Sequence, residues 1–353
     1  MVIKWTPWDV PMTRRLEVFS AAFSVFTALA LGPLSCLIIL YLIFVGNIFI
    51  QAICFSYVAF IYYDRNTGDT GGRGSGVIST RNWILWKHYH NYFPIDLVKT
   101  VELPAHRNYL VCLFPHGVLC QGAFANFGSI KYSKWPKLFP GLRAKCTTLS
   151  YHMYMPIMRE LILNWGMCAA SPNSLTTLLT QSNDQNHPSN EDGYTANAPI
   201  LMVGGAQEAF SAFPQKYRFF LKNRKGFVRI AFKTGAPLVP AISFGENDVF
   251  EQVHHPPGSL IRRFQDVFKR LTKIAPVHLN GRGFFQYNFG FVPRRHPITT
   301  VIGAPIDVPK KPQPSNEEID AMHSVFCARL VELFETHKSK YIKDHENIHV
   351  EIE

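Results

Sequence analysis

Residues Asn108–Ile130, NYLVCLFPHGVLCQGAFANFGSI, form an uncharged run with a single imidazole, His116, set between Pro115 and Gly117. Within it Tyr109–Phe114 is six apolar residues bounded by a turn signal, which reads as a buried strand. Pro115 cannot continue a central strand, so the chain turns there and presents His116 at the end of a sheet. Gly122 and Ala123 suit close packing of a following helix. An imidazole so placed takes a proton from an alcohol and passes it on near neutral pH. The alternative is a core histidine hydrogen-bonded inside a turn.

Outward from this stretch, Lys145–Leu149, Gly166–Ala170, Pro199–Val203, Pro237–Ile242 and Thr299–Ile302 are further short apolar runs, several of them separated by longer amphipathic segments. The alternation predicts an α/β domain with a largely buried sheet flanked by helices. Ser182–Asn197 reads as a polar surface loop. Ser315 and Glu318 make a capping box, and Ile319, Met322, Phe326, Leu330 and Leu333 follow at helical spacing, an apolar stripe for the sheet.

The chain of 353 residues is 47% hydrophobic with a formal net charge of +11, enough for one or two domains with a substantial core. That charge suits nucleic acid, an anionic membrane or a phosphorylated small molecule. No zinc-finger spacing and no Walker or dinucleotide glycine fingerprint occurs, which sets nucleic acid aside. Seven cysteines lie scattered without C-x-x-C pairs, and no Asn-x-Ser/Thr acceptor occurs, as for reduced thiols facing the cytosol.

Val18–Tyr63 holds 46 residues without a charge, against the roughly 20 that a helix needs to cross a bilayer core. The run therefore predicts a helical membrane hairpin, as two spans or a re-entrant pair, turning at Gly32-Pro33 or at Gly46-Asn47. Arg14 and Arg15 before it and Arg65, Arg73, Arg81 and Lys87 after it place both flanks, and so both termini, in the cytosol. Residues 1–63 are read as the membrane hairpin, 64–80 as a polar glycine-rich linker and 81–353 as the globular domain. Trp83, Trp86, Tyr89, Tyr92 and Phe93 interleave with cations, suiting either a lipid headgroup boundary or an aromatic core helix.

Leu201–Glu208 repeats the opening logic, with an apolar strand, Gly204 and Gly205 allowing close backbone approach, and then one carboxylate. Beside His116, Glu208 would orient the ring and stabilise its imidazolium, or hold an acceptor alcohol; alone it is a helix-N-terminal or surface charge. Glu246, in the turn after a strand ending at Phe244, either lines the same cleft or accepts backbone N–H bonds in that turn. Lys216, Arg218, Lys222, Arg224 and Lys225 place five cations within ten positions, suited to phosphates, to anionic lipid or to a solvated face. Cys112 and Cys120 flank His116 but read as buried small hydrophobes rather than nucleophiles.

Taken together, these motifs resemble the type 2 diacylglycerol acyltransferase family, which includes monoacylglycerol and wax-alcohol acyltransferases. The resemblance is carried by the uncharged hairpin, Tyr92-Phe93-Pro94, Pro115-His116-Gly117, Gly204–Glu208, Arg224–Phe227, Leu238-Val239-Pro240, Phe244–Asn247 and Gly283–Asn288. It implies a glycerolipid-acyltransferase-like sheet in residues 81–353 and acyl transfer from acyl-coenzyme A to a glyceride hydroxyl, with no metal or redox cofactor. Diacylglycerol is the expected acceptor, with monoacylglycerol or a long-chain alcohol as alternatives. The implied location is the endoplasmic reticulum membrane or the lipid droplet surface, and a homo-oligomer is possible in such a setting. The family's base maps onto His116 and its assisting carboxylate onto Glu208, with Pro115, Gly117, Gly204, Gly205 and Glu246 lining the cleft. Coenzyme A phosphates fall to the five-cation run. Two departures stand out: Phe114 occupies the first histidine of the family's His-Pro-His-Gly, and Gln121 removes the His-x4-Asp pattern of related glycerophosphate acyltransferases. The rival reading is a non-catalytic hairpin protein that coats lipid droplets.

Overall fold

The computed structural model describes residues 2–190, 192–253, 255–256, 258–272 and 276–353. A seven-stranded mixed sheet organises them, built from β1 (Ile95–Lys99), β2 (Leu110–Phe114), β3 (Leu142–Thr148), β4 (Cys168–Ala169), β5 (Ala196–Met202), β7 (Leu238–Phe244) and β8 (Ile298–Ile302). Their order is β1-β8-β7-β2-β5-β3-β4, parallel throughout except where β8 meets β7. β6 (Tyr217–Phe219) pairs separately with β9 (Val350–Ile352) near the C-terminus. Edge strand β1 escapes the apolar-run reading because Asp96 and Lys99 interrupt it.

β2 is buried on both faces. Leu110, Cys112 and Phe114 enter one core with Phe326, Leu330 and Phe334 of α8 (Asn316–Tyr341), while Tyr109, Val111 and Leu113 enter another with Phe127 and Trp135. This division follows from the two-residue period of a strand. The capping box of Ser315 and Glu318 starts α8 as expected.

The N-terminal helices are α1 (Met12–Phe26), α2 (Gly32–Val45) and α3 (Ile48–Tyr63). A π-turn over Thr27–Leu31 joins the first two into one helix, Met12–Val45, which passes through Gly32-Pro33 without turning. The wider turn accommodates a proline that cannot donate a backbone hydrogen bond. Among the described residues this is the one helix long and apolar enough to cross a membrane. Its break comes at Gly46-Asn47, where Asn47 caps α3. Ser35 of α2 donates to the Pro156 carbonyl and Tyr57 of α3 accepts the Ile157 N–H, so both helices meet one loop.

The first turns of α1 do not stand off from the globular part. Val18, Ala21 and Val25 pack on Trp86, Tyr89 and Tyr92 of α4 (Ile84–Tyr92), so the aromatic segment is a core helix rather than a headgroup belt. In 64–80, Asp64 bridges Arg73 and Arg159, and the Gly71 carbonyl takes the buried Lys145 ammonium at 2.6 Å. The remaining helices used below are α5 (Gly205–Phe210), α6 (Gly226–Thr234) and α7 (Leu260–Thr272).

Candidate active site

Because β2, β5 and β7 are parallel, their C-terminal ends open on one edge, with Leu113 beside both Met202 and Ala241. His116 therefore emerges between the turns that carry Glu208 and Glu246. Its Nδ1 lies 3.0 Å from the Gly117 carbonyl oxygen, which only accepts, so Nδ1 carries the proton and Nε2 keeps its lone pair. Burial lowers the His116 pKa below its ordinary 6.5; the Gly117 carbonyl pulls it back, and the Arg224 charge lowers it again. The ring is a neutral base at pH 7.

The two carboxylates act on backbone. Glu208 accepts the His116 N–H at 2.8 Å through Oε2 and the Phe220 N–H at 3.0 Å through Oε1, so it holds the loop and not the imidazole, as orientation of the ring would require. Burial pushes its carboxyl up to about 7 against the pull of those donors and of Arg224. Glu246 accepts the N–H groups of Gln121 and Gly122 at 2.6 and 2.8 Å, and burial raises it likewise to about 7. Glycine makes room for both: a Cβ at Gly204 would meet Glu208 Cδ at 1.8 Å, and one at Gly117 (φ +59°) would meet Glu246 Cγ at 2.6 Å. Pro115 is buried behind the histidine.

His116 opens on a cavity of about 290 Å³ whose wall includes Gly205 and Ala206, Thr148 and His152, and Ser24, Thr27 and Leu29 from the membrane-type helix. Of the residues read as cleft-lining, Gly205 lines this cavity, while Pro115, Gly117, Gly204 and Glu246 lie outside the lining, as does Glu208. Burial holds the Cys112 and Cys120 thiols well above their ordinary range, leaving no thiolate nucleophile at neutral pH.

The five cations differ in their surroundings. Arg218 pairs with Glu351 at 2.8 Å on the C-terminal strand, and Lys225 with Asp320 at 2.6 Å on α8. Lys216 and Lys222 are exposed, and Arg224 faces the Gly205 turn with its Nη1 3.9 Å from a Cβ placed there. Arg224 alone joins His116 and Glu208 electrostatically.

Gln121 enters the sequence reading only as a departure from a family pattern, and its role in the site has no sequence signal. Gln121 Oε1 accepts from Ser24 Oγ at 3.1 Å and from the Tyr89 hydroxyl, tying α1 and α4 to the His116 loop. Its partners stand far away along the chain, beyond any spacing rule.

The fold is α/β, and one end of its sheet hands a single histidine to a cavity whose wall includes part of the long apolar helix. The profile described as diacylglycerol acyltransferase matches residues 41–351, and the chain belongs to that family. Human 2-acylglycerol O-acyltransferase 1 is 38% identical over 349 residues, 99% of each chain. Human diacylglycerol O-acyltransferase 2 is 39% identical over 329 residues, 93% of this chain and 80% of that one. The Dictyostelium discoideum protein of the same name is 37% identical over 338 residues, 96% of each chain.

Proposed function

We propose that this protein transfers the acyl group of acyl-coenzyme A to an acylglycerol hydroxyl, with diacylglycerol as acceptor and triacylglycerol as product. The observation that carries the reading is the free Nε2 lone pair of His116 at a cavity whose wall includes the membrane-type helix. His116 takes the hydroxyl proton as the glyceride oxygen attacks the thioester carbonyl, and returns it to the departing thiolate, so no covalent enzyme intermediate is needed. Gly205, which lines the cavity where Gly117 does not, supplies the backbone N–H for the developing oxyanion. Glu208 and Glu246 are positioning residues for this turn. A droplet-coat protein has no use for a base held this way. Turnover by the purified protein with labelled acyl-coenzyme A and competing mono-, diacylglycerol and long-chain alcohol acceptors tests the assignment; no product with any acceptor overturns it.

We propose further that α2 and α3 enter the membrane of the endoplasmic reticulum as a hairpin turning at Gly46-Asn47, with both termini cytosolic. Leu37, Phe44, Phe49 and Ile53 are all more than half exposed on it, and both limbs bond to the adjacent residues Pro156 and Ile157. α7 supports the same orientation because its amphipathicity is inverted. Gln265 and Lys269 face the protein, bonded to Pro276 and Gln207, while Leu260 (83% exposed), Ile261, Phe264 (65%) and Val267 face outward. Exposed Arg263 and Arg270 flank that face, the arrangement of a helix lying in a headgroup boundary. The emission that Phe264→Trp adds over the parent in nanodiscs should be blue and quenched by brominated lipid; added emission typical of water would refute the orientation. Protease protection in sealed microsomes checks the termini.

A further inference from the structure

A second cavity, of about 610 Å³, opens at the N-terminal end of α1 and is lined by Arg14, Arg15, Arg282, Arg294 and Arg295 together with Tyr287. Its volume lies within the range of small-molecule sites. Two carboxylates face these five cations. Glu17, almost fully buried, is shared by Arg14 at 3.0 Å and Arg295 at 2.7 Å, and Glu251 pairs with Arg294 at 3.1 Å. Among the described residues the Arg15 guanidinium donates to the Pro7 and Trp8 carbonyls, and that of Arg282 to the Gly283 carbonyl and Thr6 hydroxyl while stacking 4.3 Å over Tyr287. Among the described residues neither has a carboxylate partner, and Arg294 Nε is buried without a hydrogen bond.

Like charges gathered with too few counter-charges repel one another, and planar guanidinium forks match phosphate oxygens in pairs. We infer that this pocket binds a phosphate-rich anion, and that it, rather than the Lys216–Lys225 run, grips the phosphates of the acyl donor. Each group holds carboxylates against its five cations, but the five arginines line one cavity, whereas Lys216, Lys222 and Arg224 of the run are exposed and Arg218 and Lys225 pair with Glu351 and Asp320. The pocket shares α1 with the His116 cavity: nine to thirteen residues separate Arg14 and Arg15 from Ser24 and Thr27, about 14–20 Å along the helix. Coenzyme A carries its phosphates at the far end of a linear arm from its thioester, which suits two sites spaced along one helix. The same chemistry would take the phosphate of an anionic lipid headgroup. The coenzyme assignment rests on the acyl-transfer reading; the anion site does not.

The test is binding by the full-length protein in phosphatidylcholine nanodiscs, titrated with coenzyme A, with dephospho-coenzyme A and with inorganic pyrophosphate. Changing Arg15 and Arg282 together to Gln should weaken coenzyme A by about 10- to 100-fold, the loss expected for charge-assisted hydrogen bonds, and remove competition by pyrophosphate. Arg282 packs on Tyr287, so Arg15→Gln alone and the charge-preserving Arg282→Lys keep the result readable if the double variant fails to fold. The first should lose affinity, and the second should lose less than Arg282→Gln, because it keeps the charge but not the planar fork. His116→Ala should bind coenzyme A unchanged, so a failure of the chemistry reads as lost turnover with intact binding. If the arginine variants keep coenzyme A affinity but no longer bind phosphatidic acid added to the nanodiscs, the anion is a lipid headgroup. If they leave both affinities unchanged, the anion site is wrong.

Discussion

The carboxylate of Glu208 accepts the backbone N–H of His116 at 2.8 Å, and so holds the base by its main chain. Glu208→Gln puts an amide NH₂ against one of two N–H donors, which should cost about 1–3 kcal/mol of stability and lower turnover through a displaced loop. The pH midpoint of activity should stay where His116 sets it. Glu208 and Glu246 are raised from 4.5 to about 7, so the folded state keeps protons that the unfolded chain releases across that window, and parent stability falls as pH rises through it. Melting curves against pH should show a shallower decline for Glu208→Gln. Unchanged stability with a shifted activity midpoint would instead make Glu208 a ring partner.

His116→Ala should lower turnover by about 10²–10⁴, the range for loss of a general base, with membrane insertion intact. In the parent, kcat/KM should fall on acidification with a midpoint below 6.5, because a lowered imidazole pKa keeps the base neutral to lower pH. Arg224 contributes to that lowering, so Arg224→Gln should move the midpoint upward. A downward move would remove Arg224 from the electrostatics of the site.

Phe114→His restores the family's first histidine but should not raise activity. Phe114 is fully buried, with its ring 5.1 Å from Phe219 and 6.3 Å from Phe326, and it does not border the cavity. Burying an imidazole there should cost about 1–3 kcal/mol, read as a lower Tm at matched expression.

Two glycines separate by their surroundings. Gly204→Ala should collapse the turn, since its Cβ would overlap the Glu208 carboxylate. Gly226→Ala at the start of α6 meets open space and should be neutral or stabilising by up to about 1 kcal/mol. Equal melting temperatures for the two would contradict the packing at Glu208.

What the sequence by itself determined is local. The strand ending at Phe114, the turn that delivers His116, the capping box at Ser315 and the uncharged N-terminal run are all written in neighbouring residues, because strand period, proline geometry and capping act over a few positions. Tertiary structure alone decided what each charged group touches. Glu208 reaches backbone instead of imidazole, Glu246 holds the 121–122 turn, and Gln121 ties two helices to the His116 loop. Arg218 and Lys225 are spent on carboxylates near the C-terminus, while arginines from both ends of the sequence meet in one pocket. α7 turns its apolar face outward only because Gln265 and Lys269 find partners on the protein. Electrostatic and hydrogen-bond partners are chosen by distance in space, and in a mixed sheet with crossover connections that distance bears no fixed relation to separation along the chain.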